Sequence, residues 1–95
     1  MMRLHQTEIQ AIKETILSLD ENAEIYIFGS RTDQTLKGGD IDILVLSQSL
    51  SFGDKLKIKQ MIFEKMEEQK IDLIIARNTN SPFVRMAFKK GVQIA

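Results

Sequence analysis

The stretch of residues 24–46, EIYIFGSRTDQTLKGGDIDILVL, holds two short apolar runs separated by a polar, glycine-containing segment. The first run, Glu24–Phe28, is rich in β-branched and aromatic residues and stops at Gly29, which predicts a strand. The second run, Ile41–Leu46, is apolar except for Asp42, which predicts a strand buried on both faces. Residues 31–39 between them are polar and end in a pair of glycines, which predicts a loop, or a turn of helix followed by a loop.

The rest of the chain supplies helices and further strands for these two to pack against. Ile9, Ile12, Ile16 and Leu19 recur at helical spacing, which predicts a helix over residues 7–19. The patterns further along predict a helix over 54–68, a strand over 71–76, a helix over 81–90 and a short edge strand over 92–95. The predicted fold class is α/β in the broad sense (α+β). It is a small mixed β-sheet with helices packed on one side, in a single domain of residues 1–95.

Composition excludes several classes of protein. Thirteen basic residues balance thirteen acidic ones, so strong nucleic-acid binding is not expected. Cysteine is absent, which excludes disulfides, thiolate metal sites and a cysteine nucleophile. The polar N-terminus lacks the apolar segment of a signal peptide, and no apolar run approaches the roughly 20 residues of a membrane span. These features predict a cytoplasmic protein without a membrane partner.

Asp40 and Asp42 form a D-x-D at the start of the second strand. Side chains at i and i+2 of a strand share a face, so the two carboxylates would lie side by side and repel each other. A divalent cation relieves that repulsion, and oxygen-only ligands favour Mg²⁺, with Mn²⁺ as an alternative. The competing interpretation is a solvent-exposed strand start. The position within a buried strand favours a function, because buried charge without one costs stability.

Asp72 lies one residue into the third predicted strand. Beside the second strand it would bring a third carboxylate to a pair of metal ions about 3.5–4 Å apart. A strand-start aspartate facing water is the plainer interpretation. Glu67 and Glu68 are rival acids, but the end of a predicted helix is typical of a solvated face.

Gly29 and Ser30 follow the first strand directly. Glycine lets the backbone approach a ligand closely, and serine can cap a helix whose N-terminal amides face a phosphate. Arg31 could add a phosphate contact. An ordinary turn followed by a surface arginine explains the same residues, so this segment alone does not decide the function.

Taken together, Phe28-Gly29-Ser30-Arg31, then eight residues, then Asp40-Ile41-Asp42 resemble the signature of the minimal nucleotidyltransferases of the DNA polymerase beta superfamily. The resemblance implies the polymerase beta-like nucleotidyltransferase fold. It implies that Gly29 and Ser30 hold the triphosphate of ATP, with Arg31 beside them. It further implies that Asp40 and Asp42 bind two Mg²⁺ ions and that Asp72 completes the site as a metal ligand and candidate base. Thr32, Asp33 and Gly39 depart from the usual pattern and leave the nucleotide preference open.

The resemblance also implies a reaction and a partner. The expected reaction moves AMP from ATP to a hydroxyl group, on a helical partner protein of the HEPN type for which the chain acts as antitoxin. Only 23 residues follow Asp72, so the partner is expected to position the acceptor. Two alternatives stay open: a non-catalytic module that neutralises its partner by contact alone, and an enzyme acting on a small hydroxylated molecule.

Overall fold

The computed structural model describes residues 6–28, 41–66 and 70–95. Within these ranges, three helices and four strands follow one another, with a turn of 3-10 helix at Phe52–Asp54 before the second helix. They are α1 Gln6–Leu19, β1 Glu24–Phe28, β2 Ile41–Leu46, α2 Lys55–Phe63, β3 Ile71–Ala76, α3 Pro82–Lys90 and β4 Val92–Gln93. The loop predicted over residues 31–39 lies outside the described residues.

The four strands form one mixed sheet in the order β3-β2-β1-β4. β1 pairs antiparallel with β2 on one side and with β4 on the other. β2 and β3 run parallel, joined by the crossover helix α2 that a parallel pair requires. The fold class predicted from the sequence, a small mixed sheet with helices, is confirmed.

The larger part of the core lies between one face of the sheet and the helices α1 and α2. Ile12 and Ile16 of α1 and Ile58 and Ile62 of α2 are completely buried there. The strand residues on this face follow a period of two, as a pleated strand requires. They are Ile25, Ile27, Ile41, Ile43, Val45, Ile71 and Leu73.

The helix α3 packs on the opposite face. Its residues Val84 and Ala87 are buried against Tyr26 and Leu44, which alternate with the residues of the larger core. The expectation that the helices lie on one side therefore holds for α1 and α2 and is wrong for α3. The physical reason is that β1 and β2 carry apolar side chains on both faces of the sheet, so both faces need to be covered.

The helices differ in detail from the lengths expected. α2 ends at Phe63, before the predicted end at residue 68. The amides of Glu64 and Lys65 bond to carbonyls three residues back, which tightens the last turn. Within the described ranges, no helix is both long and apolar enough to cross a membrane.

Candidate functional site

Two of the predicted site residues lie opposite each other on neighbouring strands. Asp42 of β2 and Asp72 of β3 are direct partners in the parallel pair. Paired residues of adjacent strands project to the same face, and the strands are about 4.8 Å apart. The two carboxylates therefore stand side by side on one face of the sheet.

Backbone pairing fixes this register beyond the aspartates themselves. The amide of Ile41 donates to the carbonyl of Lys70 at 3.0 Å, so the ladder continues past the pair towards the start of both strands. The carboxylates consequently come from regular strand backbone. Rigid elements of this kind hold functional groups more accurately than loops do.

The row of residues continues across the sheet to β1. Phe28, the last residue of β1, is the antiparallel partner of Asp42. The end of β1 and the beginnings of β2 and β3 thus meet at the same edge, and the sequence runs from Phe28 directly into Gly29 and Ser30. The apolar ring of Phe28 belongs to the smaller core beneath α3, so the site borders packed structure.

Asp42 is half-buried and Asp72 is exposed. Exposure leaves Asp72 accessible to a ligand, but a strand-start aspartate facing water shows the same exposure. Burial alone therefore does not separate the two interpretations of Asp72. The register carries more weight, because it places two acids next to each other in the same row.

The other predicted site residues, Gly29, Ser30, Arg31 and Asp40, lie outside the described residues, as do the rival acids Glu67 and Glu68. Across residues 6–28, 41–66 and 70–95, no three acids or histidines gather as a metal-binding group. Asp42 and Asp72 supply two of the three carboxylates predicted for the metal site. Two adjacent, oxygen-only donors are of the kind that Mg²⁺ prefers.

A polar pocket of about 460 Å³ lies at the opposite end of the sheet, where β2 and β3 finish. Several of its polar groups are hydrogen-bonded to one another. The buried hydroxyl of Ser47 donates to Asp20 and accepts the amide of Leu50 at 2.9 Å. The hydrogen bond from Ser47, with a backbone amide at Asn22, lowers the pKa of Asp20. This network ties the end of α1 to the end of β2, and the sequence interpretation missed it.

The face that carries the aspartates also holds the single tyrosine. Tyr26 is buried, its ring meets the edge of Phe88 with centroids 5.0 Å apart, and its hydroxyl donates to Glu24 at 2.6 Å. Burial, together with the hydrogen bond to Glu24, raises the pKa of Tyr26 to about 12. These contacts make Tyr26 part of the packing between the sheet and α3.

The profile of the family described as Polymerase beta, Nucleotidyltransferase matches residues 10–95, nearly the entire chain. The chain belongs to this nucleotidyltransferase family. The match includes the strands of the mixed sheet and both aspartates. The small mixed sheet with helices is consistent with the fold of this family. The comparison with curated proteins finds no match.

Proposed function

We propose that this chain transfers AMP from Mg²⁺-ATP to a hydroxyl group of a helical partner protein, of the HEPN type, and acts as its antitoxin. The family match supports nucleotidyl transfer. The choice of ATP, of a protein acceptor and of the HEPN-type partner goes further and rests on the resemblance of the motif residues 28–42.

The observation that carries the proposal is the pairing of Asp42 with Asp72 in register on one face. Two carboxylates held this close repel each other unless a cation lies between them or one of them takes up a proton. A divalent cation bound between the two carboxylates would relieve this repulsion, which supports a cation-dependent function.

The donor set fits a magnesium site. Asp42 and Asp72 would hold the metal together with Asp40, which precedes β2 in the sequence. When bound, Mg²⁺ neutralises charge on the triphosphate and makes a hydroxyl oxygen more acidic. Gly29, Ser30 and Arg31 would hold the triphosphate beside this site.

In the proposed reaction, the acceptor oxygen forms a bond to the α-phosphorus of ATP. The bond from that phosphorus to the oxygen bridging to the β-phosphate breaks, and pyrophosphate leaves with the electron pair. Asp72 takes the proton of the acceptor hydroxyl, because it is the more exposed of the two described carboxylates. The chain itself contributes orientation of the donor and a place for the proton.

The acceptor is the part of the reaction that a partner supplies. Positioning two reactants can lower a barrier by about 7–11 kcal/mol, so a freely diffusing hydroxyl should react negligibly. A tyrosine hydroxyl on the docked partner meets this requirement.

The test is co-expression with the product of the neighbouring gene, which the proposal expects to be a helical protein, followed by mass spectrometry of that product. The expected result is a partner heavier by one AMP, formed only with Mg²⁺-ATP. A stable complex whose partner never gains mass would favour the contact-only module. Modification of a small hydroxylated molecule by the chain alone would favour the other alternative.

A further inference from the structure

The outer surface of α3 combines exposed apolar side chains with positive charge. Phe83 is 52% exposed and Met86 is 42% exposed, although both are large apolar residues. They are three residues apart, so they are neighbours on the helix. A shallow groove of about 340 Å³ runs beside Met86, and its lining residues are Pro82, Arg85, Met86, Lys89 and Lys90. We call this region the α3 surface; it comprises Pro82, Phe83, Arg85, Met86, Lys89 and Lys90.

The charge of this surface has one sign only. The sequence of α3, PFVRMAFKK, has three cationic residues and no acid. The chain as a whole is neutral, so the positive charge of α3 is a local feature. Basic and apolar residues that alternate along one groove favour an occupant with acids and apolar residues at matching spacing.

We propose that the α3 surface docks an acidic amphipathic helix of a partner protein. The apolar side of that helix would lie against Phe83 and Met86, and its carboxylates would face Arg85, Lys89 and Lys90. Arginine, methionine and aromatic residues are enriched in protein interfaces, which agrees with this composition. The docked helix would belong to the partner protein of the proposed function. Only this identification of the partner rests on the proposed function.

The position of α3 relates the docked helix to the aspartates. α3 packs on Tyr26 and Leu44, and residues two apart on a strand share a face, so Asp42 is on the same side of the sheet as α3. The last turn of α3 leads through Gly91 into Val92, which pairs with Ile27 next to the end of β1. A partner on α3 therefore approaches from the side on which the carboxylates project.

Other occupants fit the α3 surface less well. Two copies of the chain that met through this surface about a twofold axis would bring like charges together. A membrane-surface helix needs a broad apolar side. The apolar side of α3, at Val84 and Ala87, is already packed on the sheet.

The test uses two synthetic helical peptides with leucines at helical spacing, one with glutamates and one with lysines at the remaining positions. Binding to the isotope-labelled full chain is followed by fluorescence polarisation and by backbone amide shifts. We expect the acidic peptide alone to bind, with shifts concentrated over residues 82–92. The double variant Lys89→Glu with Lys90→Glu should weaken binding by about tenfold or more, equivalent to about 1.4 kcal/mol.

The matched control is Lys57→Glu with Lys59→Glu, which reverses two lysines of α2 on the other side of the sheet. It should bind as the parent does. Melting curves establish that each variant is folded. Phe83→Ser should also weaken binding, whereas Asp42→Asn should retain it. The peptides test the α3 surface alone, because their leucine, glutamate and lysine side chains offer no hydroxyl group for AMP transfer. A partner protein that docks through α3 but never gains AMP would contradict the proposed function and leave the α3 surface intact.

Several results would overturn the inference. They include equal binding of both peptides, shifts away from α3, and no effect of the α3 charge reversal. Tighter binding of anionic phospholipid vesicles or of a single-stranded oligonucleotide through the same lysines would assign the surface to a different partner. Self-association that Phe83→Ser abolishes would assign it to a second copy of the chain.

Discussion

Tyr26 lies between Ile25 and Ile27 on β1, but its side chain projects to the other face of the sheet. It is the only tyrosine of a chain that has no tryptophan, so its absorbance reports on one position. Burial and the hydrogen bond to Glu24 raise its pKa to about 12. The folded protein therefore holds the phenol proton more tightly than the unfolded chain does.

This difference predicts a pH dependence of stability. A raised pKa stabilises the folded state fully below the unfolded value of about 10, and that contribution is lost as the pH rises towards 12. We expect urea unfolding to show a falling free energy of unfolding above about pH 10. Tyr26→Phe should have a flatter profile over the same range. An identical slope in both proteins would contradict the burial of a protonated phenol.

Single residues also show what the sequence can and cannot predict. The sequence shows that an aspartate is the second residue of each of two apolar runs, at Asp42 and Asp72. Their direct pairing cannot be predicted from the sequence, because the register depends on how the crossover helix α2 packs on the face of the sheet. The hydrogen bond between Ser47 and Asp20 joins residues 27 positions apart, and no local sequence pattern predicts it.

Among the elements, α3 shows the limit of sequence interpretation most clearly. Its range was expected as residues 81–90, and the helix spans Pro82–Lys90 with Ser81 as its N-cap. The face of the sheet that it covers was expected wrongly. Periodicity places Val84 and Ala87 on the inner side of a helix, but it does not tell which side of the sheet receives them. The chain path after β3 decides that.

Gly91 lacks a side chain and so allows the end of α3 to lie close to β1. A Cβ at this position would lie 2.8 Å from the carbonyl oxygen of Ala87 and 3.0 Å from the Cβ of Tyr26. Both are too close, and neither atom belongs to the flexible end of a side chain. Gly91→Ala should therefore push α3 away from the sheet and lower the free energy of unfolding by about 1–3 kcal/mol.

Gly53→Ala is the matched control for this substitution. The nearest atom that an added Cβ would meet there is the Oγ of Ser51, at 3.9 Å. Urea unfolding should show a clear loss for Gly91→Ala and little change for Gly53→Ala. Equal stabilities of the two variants would argue against close packing of α3 on Tyr26.

At the scale of the whole molecule, the two ends of the sheet carry different groups. One end has the hydrogen bond between Ser47 and Asp20, and the other has the neighbouring carboxylates of Asp42 and Asp72. A ligand that neutralises those carboxylates should stabilise the fold by mass action. At about a hundredfold excess over its dissociation constant, Mg²⁺-ATP would add about 2.7 kcal/mol to the free energy of unfolding.

For a chain of 95 residues, that gain corresponds to a rise in melting temperature of roughly 10–20 °C. The measurement compares Mg²⁺-ATP with ATP in excess EDTA, for the parent chain and for Asp42→Asn. We expect the rise only with the metal, and a smaller rise in the variant. A melting temperature indifferent to Mg²⁺-ATP in folded protein would favour the contact-only module.

The proposed function requires that the carboxylates paired across β2 and β3 carry nucleotidyl transfer. The measurement is the rate at which label from [α-³²P]ATP enters the partner protein, compared among the parent chain, Asp42→Asn, Asp72→Asn and the control Glu64→Gln. Glu64 is an exposed acid just beyond α2, away from the pair. We predict that the control matches the parent, while each aspartate variant loses roughly a hundredfold or more of the rate and stays folded. Transfer at the parent rate by folded Asp42→Asn or Asp72→Asn would contradict the claim.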